Sequence, residues 1–318
     1  MPKHSKPRAG SLQFWPRKRA GKFLPSVNWK AVSNPEKNSG IFSFIAYKVG
    51  MSSCLIKDST PESRTKDSRI IIPVTILEAP PMKICSVRFY KNENLIKEIL
   101  SENLEKELKK KIRLPKTHKL KIEDIKDYDN IRLIVYSLVK QTGIKKTPDL
   151  IEIKLAGNLD EKIKFVKENL NKEIFLTDFI KDIQLIDVRG LTKGKGIQGP
   201  VKRFGIRLKS HKSEKGIRNV GSIGPWHPAH TTFRTPMAGQ LGMFSRIKYN
   251  SKIIISGKIQ EKNINPKQGW KKYGEIKTEY IIIAGSVQGP QKRQLLLTLP
   301  LRPSKKQNKK NYEFMKLI

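Results

Sequence analysis

Between residues 191 and 250 the chain carries twelve lysines and arginines against one carboxylate, Glu214, so this stretch cannot neutralise itself. Residues 191–245 also hold nine glycines and four prolines and follow neither a helical nor a strand period. A segment of that length without apolar spacing cannot bury a core of its own. Cations without internal partners must face water or phosphate. We therefore expect 191–245 to be an excursion that leaves a folded body and returns to it. Half of it, fully extended, reaches at most roughly 90 Å.

The remaining charge is just as uneven. Residues 1–20 contain Lys3, Lys6, Arg8, Arg17, Lys18 and Arg19 and no acid, whereas residues 91–190 hold 22 basic and 18 acidic side chains, an ordinary mixed surface. Over all 318 residues the balance is +37, and hydrophobic residues make up 37%, below the ~45–50% usual in globular domains. Such a chain buries one modest core and a second small one. Its charge repels itself in the compact state, and a polyanion is the natural counterweight. No apolar run approaches the ~18–20 residues needed to span a membrane. No signal-peptide core follows the basic start, and two cysteines, Cys54 and Cys85, make neither a disulfide framework nor a zinc site. The composition points to an intracellular, soluble protein bound to nucleic acid.

Outside the cationic stretches the texture is β. Ile41 to Tyr47, Arg69 to Leu77 and Lys83 to Tyr90 read as strands, the last two separated by the stiff break Ala79-Pro80-Pro81. Ile96, Leu100, Leu104, Leu108 and Ile112 recur every four residues, which predicts a helix opened by Asn92 or Asn94 and closed before Pro115. Strands are expected at Ile131 to Val139 and Ile151 to Leu155, and a second helix over roughly 160–170 with Ile163, Val166 and Leu170 on one face. Strand texture returns at Ile183 to Arg189, Ser251 to Ile259, Glu279 to Ser286 and Gln294 to Leu299. The last twenty residues read as a basic, peripheral tail.

Each constellation that could carry chemistry has a plainer reading. Gly194-Lys195-Gly196-Ile197-Gln198-Gly199 has the spacing of a dinucleotide fingerprint, but Pro200 and a strand-like Val201 to Gly205 follow, not a helix that could hold a pyrophosphate. Either a glycine hairpin presses Lys193, Lys195, Lys202 and Arg203 against phosphates, or it is a basic turn in solvent; the first is favoured. His227 and His230 flank Pro228 and have no cysteine or carboxylate nearby to complete a metal shell. Trp226, in Gly224-Pro225-Trp226-His227-Pro228, is either a local wedge or a stacking platform, and the charge favours stacking on nucleotides. Trp15 and Trp29 are further stacking candidates. Glu214 is the lone carboxylate among the cations, too little for acid–base catalysis on RNA. Cys54 and Cys85 read as small buried hydrophobes.

Several stretches resemble a known family. Met1-Pro2-Lys3-His4 through Leu12, Pro16-Arg17-Lys18-Arg19-Ala20, Tyr47 to Met51 and Glu78-Ala79-Pro80-Pro81-Met82 are similar to archaeal members of the universal large-subunit ribosomal protein three family. So are Lys193 to Gly199 running on to Gly205, Gly224 to Ala229, Ala238 to Gly242 and Gly285 to Pro290, in the family's order. Ser52-Ser53 stands where members commonly have Thr-His, and Ile247-Lys248 where Thr-Glu is usual. The segment beyond Arg293 is more apolar than the family leads one to expect.

The resemblance implies a mainly β fold with an α/β insertion: a six-stranded translation-protein-type β-barrel plus two long non-globular basic extensions. The expected divisions are an N-terminal extension (1–39), barrel strands (40–90), the α/β insertion (91–182), a barrel strand (183–190), the central extension with its glycine loop and tryptophan finger (191–245), the remaining barrel (246–300) and a basic tail (301–318). It implies a structural constituent of the large (50S) ribosomal subunit in the cytoplasm. Such a protein binds near the 3′ end of 23S rRNA, nucleates assembly and sends a basic arm toward the peptidyl transferase centre. Large-subunit proteins fourteen and twenty-four e are the expected neighbours. The residues expected to meet rRNA are Lys3, His4, Lys6, Arg8, Trp15, Arg17, Lys18 and Arg19 in the first extension. In the central one they are Lys193, Lys195, Gln198, Lys202, Arg203, His211, Lys212, Lys215, Arg218, Trp226, His227, His230, Arg234 and Gln240. Arg246, Lys292 and Arg293 complete the set beside the barrel. No catalytic residue, cofactor, metal, membrane or small-molecule substrate is expected. The competing readings are an RNA-processing or RNA-modifying enzyme with basic arms, and a chromatin-type DNA binder.

Overall fold

Runs of β-branched and aromatic residues broken by Pro, Gly and short polar turns give the described residues thirteen strands and few helices. The computed structural model describes residues 8–32, 40–115, 125, 127–181 and 183–318. Lys3, His4 and Lys6 lie outside them. The chain divides into two units, Met1–Gly21 with Leu191–Ser245, and Lys22–Gly190 with Arg246–Ile318. In chain order the elements are β1 (Ser43–Asp58), β2 (Arg69–Ala79), β3 (Met82–Lys91), β4 (Asn94–Leu100), β5 (Asn130–Ser137) and β6 (Leu150–Lys154). Then come α1 (Leu159–Asn169), α2 (Leu176–Ile180), β7 (Leu185–Leu191), β8 (Ile197–Gln198), α3 (Pro200–Phe204) and β9 (Gly239–Gln240). The last are β10 (Ser245–Lys258), β11 (Glu279–Ala284), β12 (Gln294–Thr298), α4 (Lys305–Asn308) and β13 (Tyr312–Leu317).

In the larger unit one sheet runs β12-β7-β10-β11-β2-β1, and the pairing of β12 with β1 closes it into a ring of six strands. The closing register sets Ser43 against Thr298 and Tyr47 against Gln294. In β11, alternation sorts the side chains between two apolar clusters. Ile281 and Ile283 join Phe44, Leu77, Val188 and Leu296 in the main core, while Tyr280 and Ile282 face Cys54, Ile56, Val74 and Ile76 in the other. The two prolines between β2 and β3 carry the chain from the ring into a second antiparallel sheet, β4-β3-β5-β6. Helix α1 lies beside that sheet, burying Val166, and its N-terminus is fixed by a capping box between Asn158 and Glu161.

Four expectations need correction. Residues 96–112 are not one helix. Asn92 and Glu93 both have positive φ, 47° and 65°, the geometry of a two-residue hairpin turn, and Tyr90 pairs with Leu95 as β3 reverses into β4. The four-residue repeat is then shared out: Ile99 enters the main core, and Leu100, Leu104, Leu108 and Ile112 pack with Cys85 and Tyr136 beyond it. Trp29 is no stacking platform. It is 4% exposed, sits in the main core and donates its indole N–H to the Glu152 carbonyl at 3.2 Å. The tail is not merely peripheral, because β13 pairs with the far half of β1, Cys54 opposite Leu317 and Asp58 opposite Tyr312. Ser52 Oγ donates to the Ile318 carbonyl at 2.6 Å and the Ile318 N–H to the Ser53 carbonyl at 2.9 Å. The Ser52 hydroxyl and the Ser53 backbone thus hold the end of this extra strand. The fourth correction, α3, belongs to the smaller unit.

Cys54 and Cys85 are buried free thiols, and burial pushes both up to about 11. One buried carboxyl ties the ring together. Glu78 on β2 is fully buried. It accepts from the Lys277 N–H at 2.8 Å, from the Thr278 N–H at 3.1 Å and hydroxyl at 3.0 Å, and from the Tyr273 hydroxyl. Burial raises its pKa against the pull of those hydrogen bonds.

This packing can be tested at two positions. A Cβ at Gly190 would stand 2.4 Å from Leu295 Cδ2, on a fully buried side chain; Gly190→Ala should therefore cost ~1–3 kcal/mol by overpacking, read as a lowered denaturant midpoint at unchanged slope. The folded Glu78 carboxyl titrates above its unfolded value of about 4.3, so its contribution is complete below that pH and is lost as pH rises through the folded value. The melting temperature of the wild type relative to Glu78→Gln should be highest near pH 4 and decline toward neutrality; a constant difference would refute the assignment.

Candidate nucleic-acid interface

Glycine and proline shape the smaller unit more than apolar burial does. Its frame is a narrow ribbon. The Thr192 N–H donates to the Phe244 carbonyl at 3.0 Å, Lys195 to Leu241 at 2.9 Å and Leu241 to Gly196 at 2.9 Å, and β8 pairs antiparallel with β9. Gly242 is obligatory here: its φ is +80°, and a Cβ would lie 1.9 Å from the Lys193 carbonyl oxygen. The Ala20 N–H joins the same ribbon through the Met243 carbonyl at 2.9 Å.

The expected strand at Val201 to Gly205 is instead the short helix α3. Pro200 presets the first helical φ, and Gly205 stops the helix in the left-handed region at φ 66°. At five residues, flanked by an antiparallel ribbon, α3 is no part of a βαβ nucleotide unit, so the dinucleotide reading fails on topology rather than on the absence of a helix. Lys202 and Arg203 occupy its last turn, where cations suit the helix dipole.

Two of the expected contact residues are partly committed to the protein. Arg203 donates to the carbonyls of Gln240 and Met237 at 3.0 Å each and of Arg17 at 3.3 Å, while Arg17 donates back to the Arg203 carbonyl at 2.8 Å. The guanidinium groups of Arg17 and Arg203 stack over Phe204, at 4.2 and 5.1 Å from its centroid. Trp15 packs face-on against Phe204 at 5.7 Å and edge-on to Phe233 at 5.9 Å. This aromatic–guanidinium cluster takes the place of a core. Gln240 and Gln198 likewise turn their amides onto local carbonyls.

Arg8, though exposed, also donates to the Gly10 carbonyl at 2.6 Å and to the Arg234 carbonyl. The other named side chains of this unit, Lys18, Arg19, Lys193, Lys195, Lys202, His211, Lys212, Lys215, Arg218, His227, His230 and Arg234, are exposed. Trp226 is 87% exposed and lines an open recess of about 320 Å³ with Ile223, Pro225, Pro228 and His230. Its ring has no apolar cluster to join, which separates it from Trp15 and Trp29. Among the described residues no group of three His, Cys, Asp or Glu side chains could hold a metal.

Sequence reasoning missed a second class of surface in this unit. Ile197 is 80% and Phe233 67% exposed, apolar groups set among cations. Ile197 was legible, lying inside the glycine run. Phe233 was not, because nothing in its neighbours marks it.

In the larger unit, Lys292 is exposed, while Arg246 and Arg293 are half-buried and burial lowers both pKa values. Arg293 lies over the Phe23 ring at 5.3 Å. Lys248 donates to the Ala284 carbonyl at 2.8 Å.

Comparison with known proteins agrees with the motifs. The family model described as Ribosomal protein L3 matches residues 1–121 and 88–317. Among curated proteins, the large ribosomal subunit protein uL3 of Methanocaldococcus jannaschii is 40% identical over 314 residues, covering 94% of this chain and 92% of its own length. That of Methanobrevibacter smithii is 38% identical, covering 96% and 95%, and that of Archaeoglobus fulgidus 37%, covering 95% and 94%. Matched by the family model over both stretches and about 40% identical to such relatives over nearly its whole length, this chain belongs to the ribosomal protein L3 family.

Proposed function

We propose that the protein is a structural constituent of the archaeal large ribosomal subunit, in the cytoplasm, and a primary binder of 23S rRNA near its 3′ end. The closed six-strand ring with its added sheet is then the translation-protein-type β-barrel and α/β insertion, and 1–21 and 191–245 are its RNA-ordered extensions, residues 22–32 of the expected first extension being packed on the larger unit's core. The observation that carries this reading is the exposure of Trp226 and of a set of cations in a unit without an apolar core of its own. Phosphates supply the counter-charge that Glu214 alone cannot, and bases supply the apolar cover that the chain lacks. The exposed lysines and arginines are the phosphate contacts, whereas Arg17, Arg203 and Trp15 hold the scaffold that presents them.

By this reading the central stretch reaches toward the peptidyl transferase centre with Trp226 near its tip. Early binding nucleates subunit assembly, and large-subunit proteins fourteen and twenty-four e are neighbours. An enzyme is not needed: the family is one of ribosomal proteins, and the runner-up reading of an RNA-modifying enzyme has no carboxylate among the cations beyond exposed Glu214. A chromatin-type DNA binder would need a groove-reading helix, and α3 has five residues.

The chain should co-sediment stoichiometrically with the large subunit through a high-salt wash; a spread across light gradient fractions would overturn the assignment. Trp226→Ala should shift the stability of the isolated protein by less than ~0.5 kcal/mol, as expected of an exposed site, while reducing the activity of subunits that carry it. Loss of the thermal transition in this variant would place Trp226 in a core after all.

A further inference from the structure

The segment Arg302–Lys310 carries five cations, Arg302, Lys305, Lys306, Lys309 and Lys310, and no acid. It is held in place by hydrogen bonds along its length. Asn250 Nδ2 donates to the Arg302 carbonyl at 3.0 Å and the Ser304 N–H to Asn250 Oδ1 at 3.2 Å; Lys252 reaches the Asn308 carbonyl at 3.4 Å. Just beyond, the Ser59 N–H donates to the Asn311 carbonyl at 2.9 Å. Arg302, Lys305, Lys306 and Lys309 are exposed. Among the described residues the ion pairs of the larger unit lie between residues 30 and 173, and none involves these four. The ledge therefore keeps the charge of these four cations.

We propose that this ledge is a second nucleic-acid contact, one that grips the phosphate backbone of an RNA duplex independently of the glycine ribbon and Trp226. The proposal rests on the ribosomal reading above and adds a surface to it. The ligand class follows from what the ledge lacks. Apart from Pro303 it offers no apolar side chain, so it has no anchor for the desolvated centre of a protein interface and none for a lipid surface. It has no aromatic on which an unpaired base could stack. Cations on an ordered backbone, without stacking groups, suit the regular phosphates of a helix.

The test measures binding of the full chain to large-subunit rRNA and to a perfect RNA duplex across a salt series. Two variants are compared, Arg302→Gln/Lys305→Gln/Lys306→Gln/Lys309→Gln on the ledge and Lys193→Gln/Lys195→Gln/Lys202→Gln on the ribbon. Removing one neutralised phosphate lowers the slope of log K against log salt by ~0.9 on duplex, so the ledge variant should have a slope shallower by roughly 2 to 4, and Arg in place of the three lysines should restore it. A ledge variant with the wild-type slope, beside a ribbon variant whose slope falls, overturns the ledge and leaves the ribosomal reading standing. Unchanged slopes in both overturn that reading itself. Should the fourfold variant misfold, acylation of the wild type decides. Lys305, Lys306 and Lys309 should be protected by the duplex; equal reactivity bound and free, or equal protection by polyglutamate, overturns the proposal.

Discussion

The pairing of Ser43–Tyr47 with Gln294–Thr298 is the contact on which the larger unit depends. Without it the six strands would form an open sheet with two long, apolar edges, a template for aggregation. With it, both faces of the closing strands are covered, and Phe44, Ile45, Leu295 and Leu297 are fully buried. The strand that makes this closure also does most of the remaining work. β1 is sixteen residues long, pairs with β2 along one side and shares its other side between β12 and β13. Its bulge after Lys48 lets one strand follow the curve of the ring and then run on past it.

Charge is distributed as deliberately as apolar surface. In the sheet β4-β3-β5-β6, Arg88 and Arg132 bracket Glu152, and Glu98 takes both Arg88 and the Ser86 hydroxyl. Partly exposed pairs of this kind add little stability, but they leave that surface near neutral. The smaller unit has the opposite design. Its guanidinium groups are used where they can knit backbone carbonyls together, and its lysines are left to solvent. A protein whose acids and bases are separated in this way is read by its partners as two different surfaces.

Much of this was legible before any coordinates. The continuous apolar runs in Glu279–Ala284 and Gln294–Thr298 announced buried strands, and the lone carboxylate of 191–250 announced a stretch that must find its counter-charge elsewhere. What sequence could not show was pairing. Leu95 and Ile96 fit a helical stripe as well as a strand until the reversal at Asn92-Glu93 is known, because that turn sets a glutamate, which rarely takes positive φ, beside the asparagine. Trp29 looked free because its partners, Glu152 among them, lie more than a hundred positions away. Arg17 and Arg203 were rightly grouped with the cationic stretches, but their exchange of hydrogen bonds with each other's carbonyls is a property of the folded ribbon. β13 was hidden by its basic flanks, although Tyr312, Phe314 and Leu317 carried the apolar signal.

The closure of the ring has a consequence for how the molecule is made. The first and last of its six strands are separated by about the whole chain, so a ribosome synthesising this protein releases β12 long after β1, β2 and β7. Until then the nascent chain exposes one unpaired edge of β1 and another of β7, and its loop-closure entropy is offset only at the end. The cationic stretch 191–245 emerges within that interval, after β7 and before β12. The order of synthesis therefore presents the most cationic part of the protein before its scaffold is complete, and the unclosed ring is the aggregation-exposed state.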